Sequence, residues 1–251
     1  MSSLVDRRAA FRALHQSGCF VLPNPWDGGS AIRLAKLGFK ALASTSAGAA
    51  WALGRADGEM SVDEVLAHLR FLVGVTDLPV NADFESGFAD SPEGVAHNVA
   101  RCIDTGVAGL SIEDRLGAGL YPLEEAARRV RAARAAIDRS RQDVILVARC
   151  EAFWLGQPDL DMTIARLLAY SSAGADCLYA PGIKELSVIE RLVKSLDKPV
   201  NANLSGTGVA VADLAAIGVR RVSVGGALAR ATWTAFDGIA AKLASEGRLP
   251  G

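Results

Sequence analysis

The sequence predicts one (β/α)8 barrel of the TIM type spanning residues 1–251, with an extra helix before the first strand. Three observations lead there. Short apolar or β-branched runs recur eight times, amphipathic helical patterns lie between them, and the links are too short for any crossover that is not a strand–helix–strand unit. Eight such units close more naturally into a barrel than into an open sheet, and 251 residues matches the usual length of about 250 for that fold.

In chain order, the first ~17 residues carry a helical pattern without the continuous apolar stretch of a signal peptide. The strand segments are 19–23, 40–45, 78–83, 109–113, 144–149, 176–180, 199–203 and 221–224. Helix starts are marked by the capping box Ser61-Val62-Asp63-Glu64 and by Ser91-Pro92-Glu93, where proline sits at the first helical position. Helix ends are marked by Gly38, Gly106, Gly174 and Gly218, each followed within a few residues by a strand. A last helix is expected at about 227–244. No Gly/Ser-rich or Pro-rich linker interrupts the series, so one domain is expected.

Composition narrows the function. Lys plus Arg number 27 against 28 Asp plus Glu, a net charge of −1, which leaves no overall basic surface for nucleic acid or an anionic membrane. Cys19, Cys102, Cys150 and Cys177 are far apart and form no CxxC pair, which speaks against a zinc knuckle or a disulfide framework. No run reaches the ~18 apolar residues of a membrane span. A cytoplasmic protein acting on a small ligand is expected.

In a barrel of this kind the active site lies where the strands end. The third predicted strand runs into Asn81, Asp83 and Glu85, which a side-chain period of two places on one side; the fourth delivers Ser111 and Glu113 on one face. The fifth carries Arg149 at its tip, and the seventh carries Asn201 and Asn203. Carboxylates converging in a partly buried site need neutralising, and a hard divalent ion with oxygen ligands, Mg2+ or Mn2+, is one remedy. Ion pairing of the same acids with Arg149, Arg115 or helix N-termini is the other. Lysines end no predicted strand, which argues against a Schiff base, and His15, His68 and His97 fall inside helical patterns. Val224-Gly225-Gly226-Ala227 before the last helix is a weak signal for a phosphate or carboxylate cradle.

Several motifs agree in order with one family: Asn24-Pro25-Trp26-Asp27, Ser44-Thr45-Ser46-Ala47-Gly48, Asp57, Asp83-Phe84-Glu85-Ser86-Gly87, Ser111-Ile112-Glu113-Asp114-Arg115 and Ala148-Arg149. Across nearly the whole chain the sequence resembles the isocitrate lyase/phosphoenolpyruvate mutase superfamily. The resemblance implies that Asp83 ligates Mg2+ while Asp57, Glu85 and Glu113 hold its waters. It implies a substrate site of Trp26, Ser46, Ala47, Gly48, Asp83, Arg149 and Asn201, in which Ser46, Glu113 and Arg149 act in catalysis. It also implies a homodimer or homotetramer that exchanges the last helix. The chain departs from the family at 116–122, Leu-Gly-Ala-Gly-Leu-Tyr-Pro, which lacks both the Cys-containing loop of the isocitrate-cleaving members and the Lys and Asn of the phosphonopyruvate-processing ones. Tyr121 is the only ionisable side chain there, and packing against the next helix is its expected role. The resulting expectation is a Mg2+-dependent carbon–carbon lyase stabilising the enolate of a 2-oxo acid, with decarboxylation included and a small 2-oxo or 2-hydroxy dicarboxylate as substrate. A phosphorus–carbon bond enzyme and a non-catalytic 2-oxo acid-binding barrel remain as alternatives.

Overall fold

All eight expected strands form, most of them shorter than the apolar runs that announced them. The computed structural model describes residues 2–204 and 208–249. The chain opens with α1 (Leu4–Leu14), β1 (Phe20–Leu22), α2 (Gly28–Lys36), β2 (Leu42–Ala43) and the two helices α3 (Ser46–Ala52) and α4 (Val62–Val75). It continues through β3 (Val80–Asp83), α5 (Pro92–Ile103) and β4 (Gly109–Glu113) to a hairpin of β5 (Arg115–Leu116) and β6 (Gly119–Leu120). After α6 (Leu123–Ser140) come β7 (Ile145–Arg149), α7 (Leu160–Ser172), β8 (Cys177–Tyr179) and α8 (Leu186–Ser195). The last elements are β9 (Val200–Asn203), α9 (Val211–Ala216), β10 (Arg221–Ser223) and α10 (Ala227–Glu246).

The eight-stranded sheet runs β1-β10-β9-β8-β7-β4-β3-β2, with every pair parallel. Between β1 and β2 the ring is joined by the Ala43 N–H, which donates to Pro23 O at 3.1 Å. Beside it the Asn24 Nδ2 donates to Ser44 O at 2.9 Å. The result is a nearly closed TIM-type barrel. The helix signals act as expected: Ser61 and Glu64 cap α4 reciprocally, Ser91 accepts from Gly94 N ahead of Pro92, and Gly38, Gly106, Gly174 and Gly218 all take positive φ just past helix ends.

Alternation along the strands divides the core in two. Val80, Ala82, Leu110, Ile112, Leu146, Ala148, Leu178, Val200, Ala202 and Val222 face outward and join the helices in the main apolar cluster. Phe20, Leu22, Ala43, Ile145, Val147, Cys177 and Tyr179 face inward and pack with Phe11 of α1. The extra N-terminal helix therefore plugs the lower end of the barrel: the Phe11, His15 and Phe20 rings meet edge to face at centroid distances of 4.8, 5.1 and 6.3 Å. Two arginines pin α1 there. Arg7 donates to Val73 O and Thr76 O, and Arg8 to Val107 O and Ile103 O, so both cations sit on the C-terminal carbonyls of neighbouring helices.

The segment after Glu113 differs from its expected loop conformation. Arg115 pairs with Leu120 and Leu116 with Gly119 in the short antiparallel hairpin, turned by Gly117 at φ +58°. Tyr121 packs as expected: it is buried, and the Arg129 guanidinium lies over its ring, 4.0 Å from the centroid.

Candidate active site

A cavity of about 660 Å³ opens at the C-terminal ends of the strands, where this fold places its chemistry. Of the expected site residues, Ser46, Ala47, Asp57, Asp83, Glu85, Glu113, Arg149 and Asn201 line it. At its centre the Arg149 guanidinium touches three carboxylates: Nη1 to Asp83 at 2.7 Å, Nη2 to Glu113 at 3.2 Å and Nε to Glu151 at 2.9 Å. The parallel register sets this up by placing Glu113 directly opposite Arg149, while Asp83 ends the strand beyond β4. Asp83 also accepts from the Ser46 N–H at 3.0 Å and the Ser46 hydroxyl at 2.9 Å. Ion pairing with Arg149, the alternative left open by the sequence, is thus realised for Asp83 and Glu113. Asp57 and Glu85 make no ion pair among the described residues.

Glu85 reaches the cavity by a different route from the expected one. β3 ends at Asp83, so strand alternation does not place Glu85; it sits in the left-handed region at φ +45°, a conformation that costs free energy in a non-glycine residue. Burial, with the charges of Asp83 and Asp57 adding to it, pushes its carboxyl up to about 7. Asp57, at the exposed rim, is raised by desolvation and then by Asp83. Glu113 and Glu151 are raised first by burial; Arg149 opposes this, and the neighbouring carboxylates reinforce it. Burial works against the charge of Arg149, but Glu151, Glu113 and Asp83 outweigh it and hold the guanidinium firmly protonated.

The substrate-side expectations divide. Trp26 and Gly48 do not line the cavity. Gly48 N–H is occupied by the Thr45 hydroxyl, which caps α3, and a side chain at Gly48 would lie 2.7 Å from Thr45 Cγ2 and 2.8 Å from Trp26 Cβ. That glycine is required by packing between Trp26 and the start of α3. Asn201 lies at the cavity floor with its amide donating to the Ser223 hydroxyl at 3.0 Å and accepting from Arg221 at 2.8 Å. The glycine cradle before the last helix is already filled, because Val224 N–H and Gly225 N–H both donate to Asn24 Oδ1 at 2.9 Å.

The donor set suits a hard divalent ion. Five carboxylates, Asp57, Asp83, Glu85, Glu113 and Glu151, line the cavity; Asp83, Glu113 and Glu151 share the Arg149 guanidinium, and burial, reinforced by neighbouring carboxylates, disfavours the charged forms of Asp57, Glu85, Glu113 and Glu151. Among the described residues no three His, Cys, Asp or Glu are gathered as a ready-made cage. Mg2+ usually takes one or two carboxylates directly, with water and substrate oxygens completing the shell.

A model of the phosphoenolpyruvate phosphomutase family matches residues 11–244. The chain belongs to the isocitrate lyase/phosphoenolpyruvate mutase superfamily. Within the superfamily, 2-methylisocitrate lyase of Escherichia coli (strain K12) is 32% identical over 218 residues, covering 82% of this chain and 72% of that one. Oxaloacetate decarboxylase of Chromohalobacter salexigens is 34% identical over 235 residues, covering 86% and 78% respectively. The structure of oxaloacetate acetylhydrolase in complex with the product oxalate matches at a TM-score of 0.92 and 26% identity, covering 100% of this chain and 91% of that one. The named relatives support a carbon–carbon lyase within the superfamily.

Several cavity residues of this superfamily member escaped the sequence reading: Glu151, Tyr179, Lys184, Arg221, Ser223 and Arg230. Alternation along the sixth and eighth strands could have found Tyr179, Arg221 and Ser223. Glu151 lies beyond its strand, two residues past Arg149, and Arg230 lies on a helix; neither position is a strand tip.

Proposed function

We propose that this protein is a Mg2+-dependent carbon–carbon lyase that stabilises the enolate of a 2-oxo acid and acts on a small 2-oxo or 2-hydroxy dicarboxylate, with decarboxylation of an oxaloacetate-like acid as the simplest case. The observation that carries the reading is that five carboxylates line one cavity at the barrel mouth, three of them in contact with Arg149. Asp83 would ligate the ion and Asp57, Glu85 and Glu113 would hold its waters. When bound, Mg2+ supplies Lewis-acid stabilisation for charge developing on the 2-oxo oxygen.

The residues themselves account for the remaining work. Glu151, only 2% exposed, grips Arg149 by Nε and leaves Nη1 and Nη2 facing Asp83 and Glu113. Those two nitrogens form the fork that suits a carboxylate, so substrate binding exchanges two internal carboxylates for the substrate's own while Glu151 keeps the guanidinium aimed. Ser46 keeps Asp83 oriented through two hydrogen bonds. The 115–120 hairpin carries no Cys, Lys or His, and Tyr121 is turned into the core, so this loop offers no proton to a leaving group, which suits one that needs none. CO2 is such a group.

The protein is proposed to work as a homodimer or homotetramer that exchanges α10. That helix buries only Ala229 of its own residues and exposes Trp233, Phe236, Ile239 and Leu243, while Arg230, Ala231 and Thr234 reach the cavity.

Proton NMR of oxaloacetate and pyruvate in D2O with protein and Mg2+ tests the reading. Faster conversion of oxaloacetate than in a protein-free control, with deuterium entering the methyl group of pyruvate, is expected. Absence of both overturns it. The phosphoenolpyruvate phosphomutase match favours a second reading, phosphorus–carbon bond chemistry, which an unchanged phosphorus NMR spectrum of phosphonopyruvate would reject.

A further inference from the structure

The floor of the cavity holds a cation without a counter-ion. Arg221 opens β10, is 3% exposed, and points inward to line the cavity. Its Nε donates to Asn201 Oδ1 at 2.8 Å, and its Nη1 donates to Asn81 Oδ1 at 3.3 Å and faces His15 Nε2 at 3.5 Å. Every one of these partners is neutral. Phe11 O lies 2.8 Å from His15 Nδ1 and can only accept, so the ring proton sits on Nδ1 and Nε2 offers a lone pair to Arg221. No carboxylate pairs with Arg221 among the described residues, and the nearby Arg149 carries charge of the same sign.

Among the other buried arginines, Arg166 has Asp114 at 2.8 Å and Arg149 has three acids, while Arg8 and Arg129 rest on backbone carbonyls away from the cavity; of the buried arginines held by neutral groups, Arg221 is the one that lines it. A buried guanidinium on the cavity floor with only neutral partners is a ready site for an anion that enters from the cavity. The floor is also shaped to keep it there: a side chain at Gly109 would strike Asn81 Oδ1 and Phe11 Cε1, each at 2.7 Å, so only glycine lets Asn81 reach the barrel axis.

We propose that Arg221, with Asn81 and Asn201 orienting it, is the subsite for the second carboxylate of a dicarboxylate substrate whose 2-oxo end lies at Arg149. The assignment rests on the reading of the cavity as a 2-oxo acid site and adds the group that separates dicarboxylates from monocarboxylates. The Asn201 and Asn81 oxygens hold Nε and one edge of the fork, and substrate carboxylate joins the guanidinium from the cavity side.

Malate and lactate differ only by that carboxylate, so calorimetric titration of each into the Mg2+-supplemented protein reads the subsite directly. The wild type is expected to bind malate about ten- to a hundredfold tighter than lactate. Arg221→Met brings the ratio to about one, whatever the change in Tm caused by leaving Asn201, Asn81 and His15 without their donor; a purely structural arginine would leave the ratio alone. Arg221→Lys restores part of the preference. Asn201→Asp, which supplies an internal counter-ion, also removes it and decides the matter should Arg221→Met not fold. A ratio near one in the wild type, or one that survives these substitutions, overturns the assignment. Failure of the lyase reading shows separately, as absent turnover with the malate preference and its dependence on Arg221 intact.

Discussion

Arg149 holds three acids at once, and the substitution that best separates its structural from its functional partners is Asp83→Asn. Glu113 and Glu151 still neutralise the guanidinium, so the fold should persist. With Mg2+ at about a hundred times its Kd, the wild type should gain about 2.7 kcal/mol in thermal unfolding and the variant none. Turnover in the variant should fall about a hundred- to a thousandfold. His15 supports a second prediction. Burial, and after it Arg221, lowers its pKa to about 3. Its neutral form is therefore built into the fold, and the unfolded chain binds the extra proton once pH drops below its ordinary value of about 6.5. Stability associated with His15 is complete above that value and is lost as pH falls toward 3, with a limiting slope of about 1.4 kcal/mol per pH unit. Urea unfolding from pH 7 to pH 4 should show that slope in the difference between wild type and His15→Gln; parallel curves would refute it. At this scale Asp83, Glu113 and Arg149 were legible because they occupy strand tips. Arg221 was missed because it opens its strand instead of ending it, although it shares the inward face of that strand with Ser223 and alternation would have shown it.

Elements were legible wherever an apolar period ran long enough to be distinctive. The eight barrel strands met that condition; the two-residue strands β5 and β6 could not, since no period exists in two residues. Glu85 shows a related limit, because a left-handed turn carries its side chain to the cavity where alternation was assumed. The last helix was placed correctly, but its surroundings were not readable: a pattern of Trp233, Phe236, Ile239 and Leu243 states that a face is apolar and leaves its partner unnamed. If that face meets another subunit, Trp233→Glu combined with Phe236→Glu should reduce the sedimenting species to monomer and depress turnover, since Arg230 and Thr234 of the same helix line the cavity. An unchanged sedimentation coefficient would remove the exchanged-helix arrangement.

Considered whole, the barrel is bound unevenly around its circumference. β4 and β7 share five residue pairs, whereas β1 and β2 are joined by one backbone hydrogen bond and the side chain of Asn24. Asn24 reaches in two directions, donating to Ser44 O and accepting from Val224 and Gly225. Asn24→Ala would leave one buried carbonyl and two partly buried N–H groups without their partner and should cost about 2 kcal/mol in urea unfolding, while Asn24→Asp, which keeps the acceptor, should cost less. A weakly riveted hoop loosens first at its gap. Thermal breathing should therefore start between Pro23 and Ala43, immediately below Ser46, and a ligand clasped from Ser46 across to the far wall would act as a tie-rod. Slower amide deuteration of Ala43 in the presence of ligand, with β4 and β7 unaffected, would be its signature.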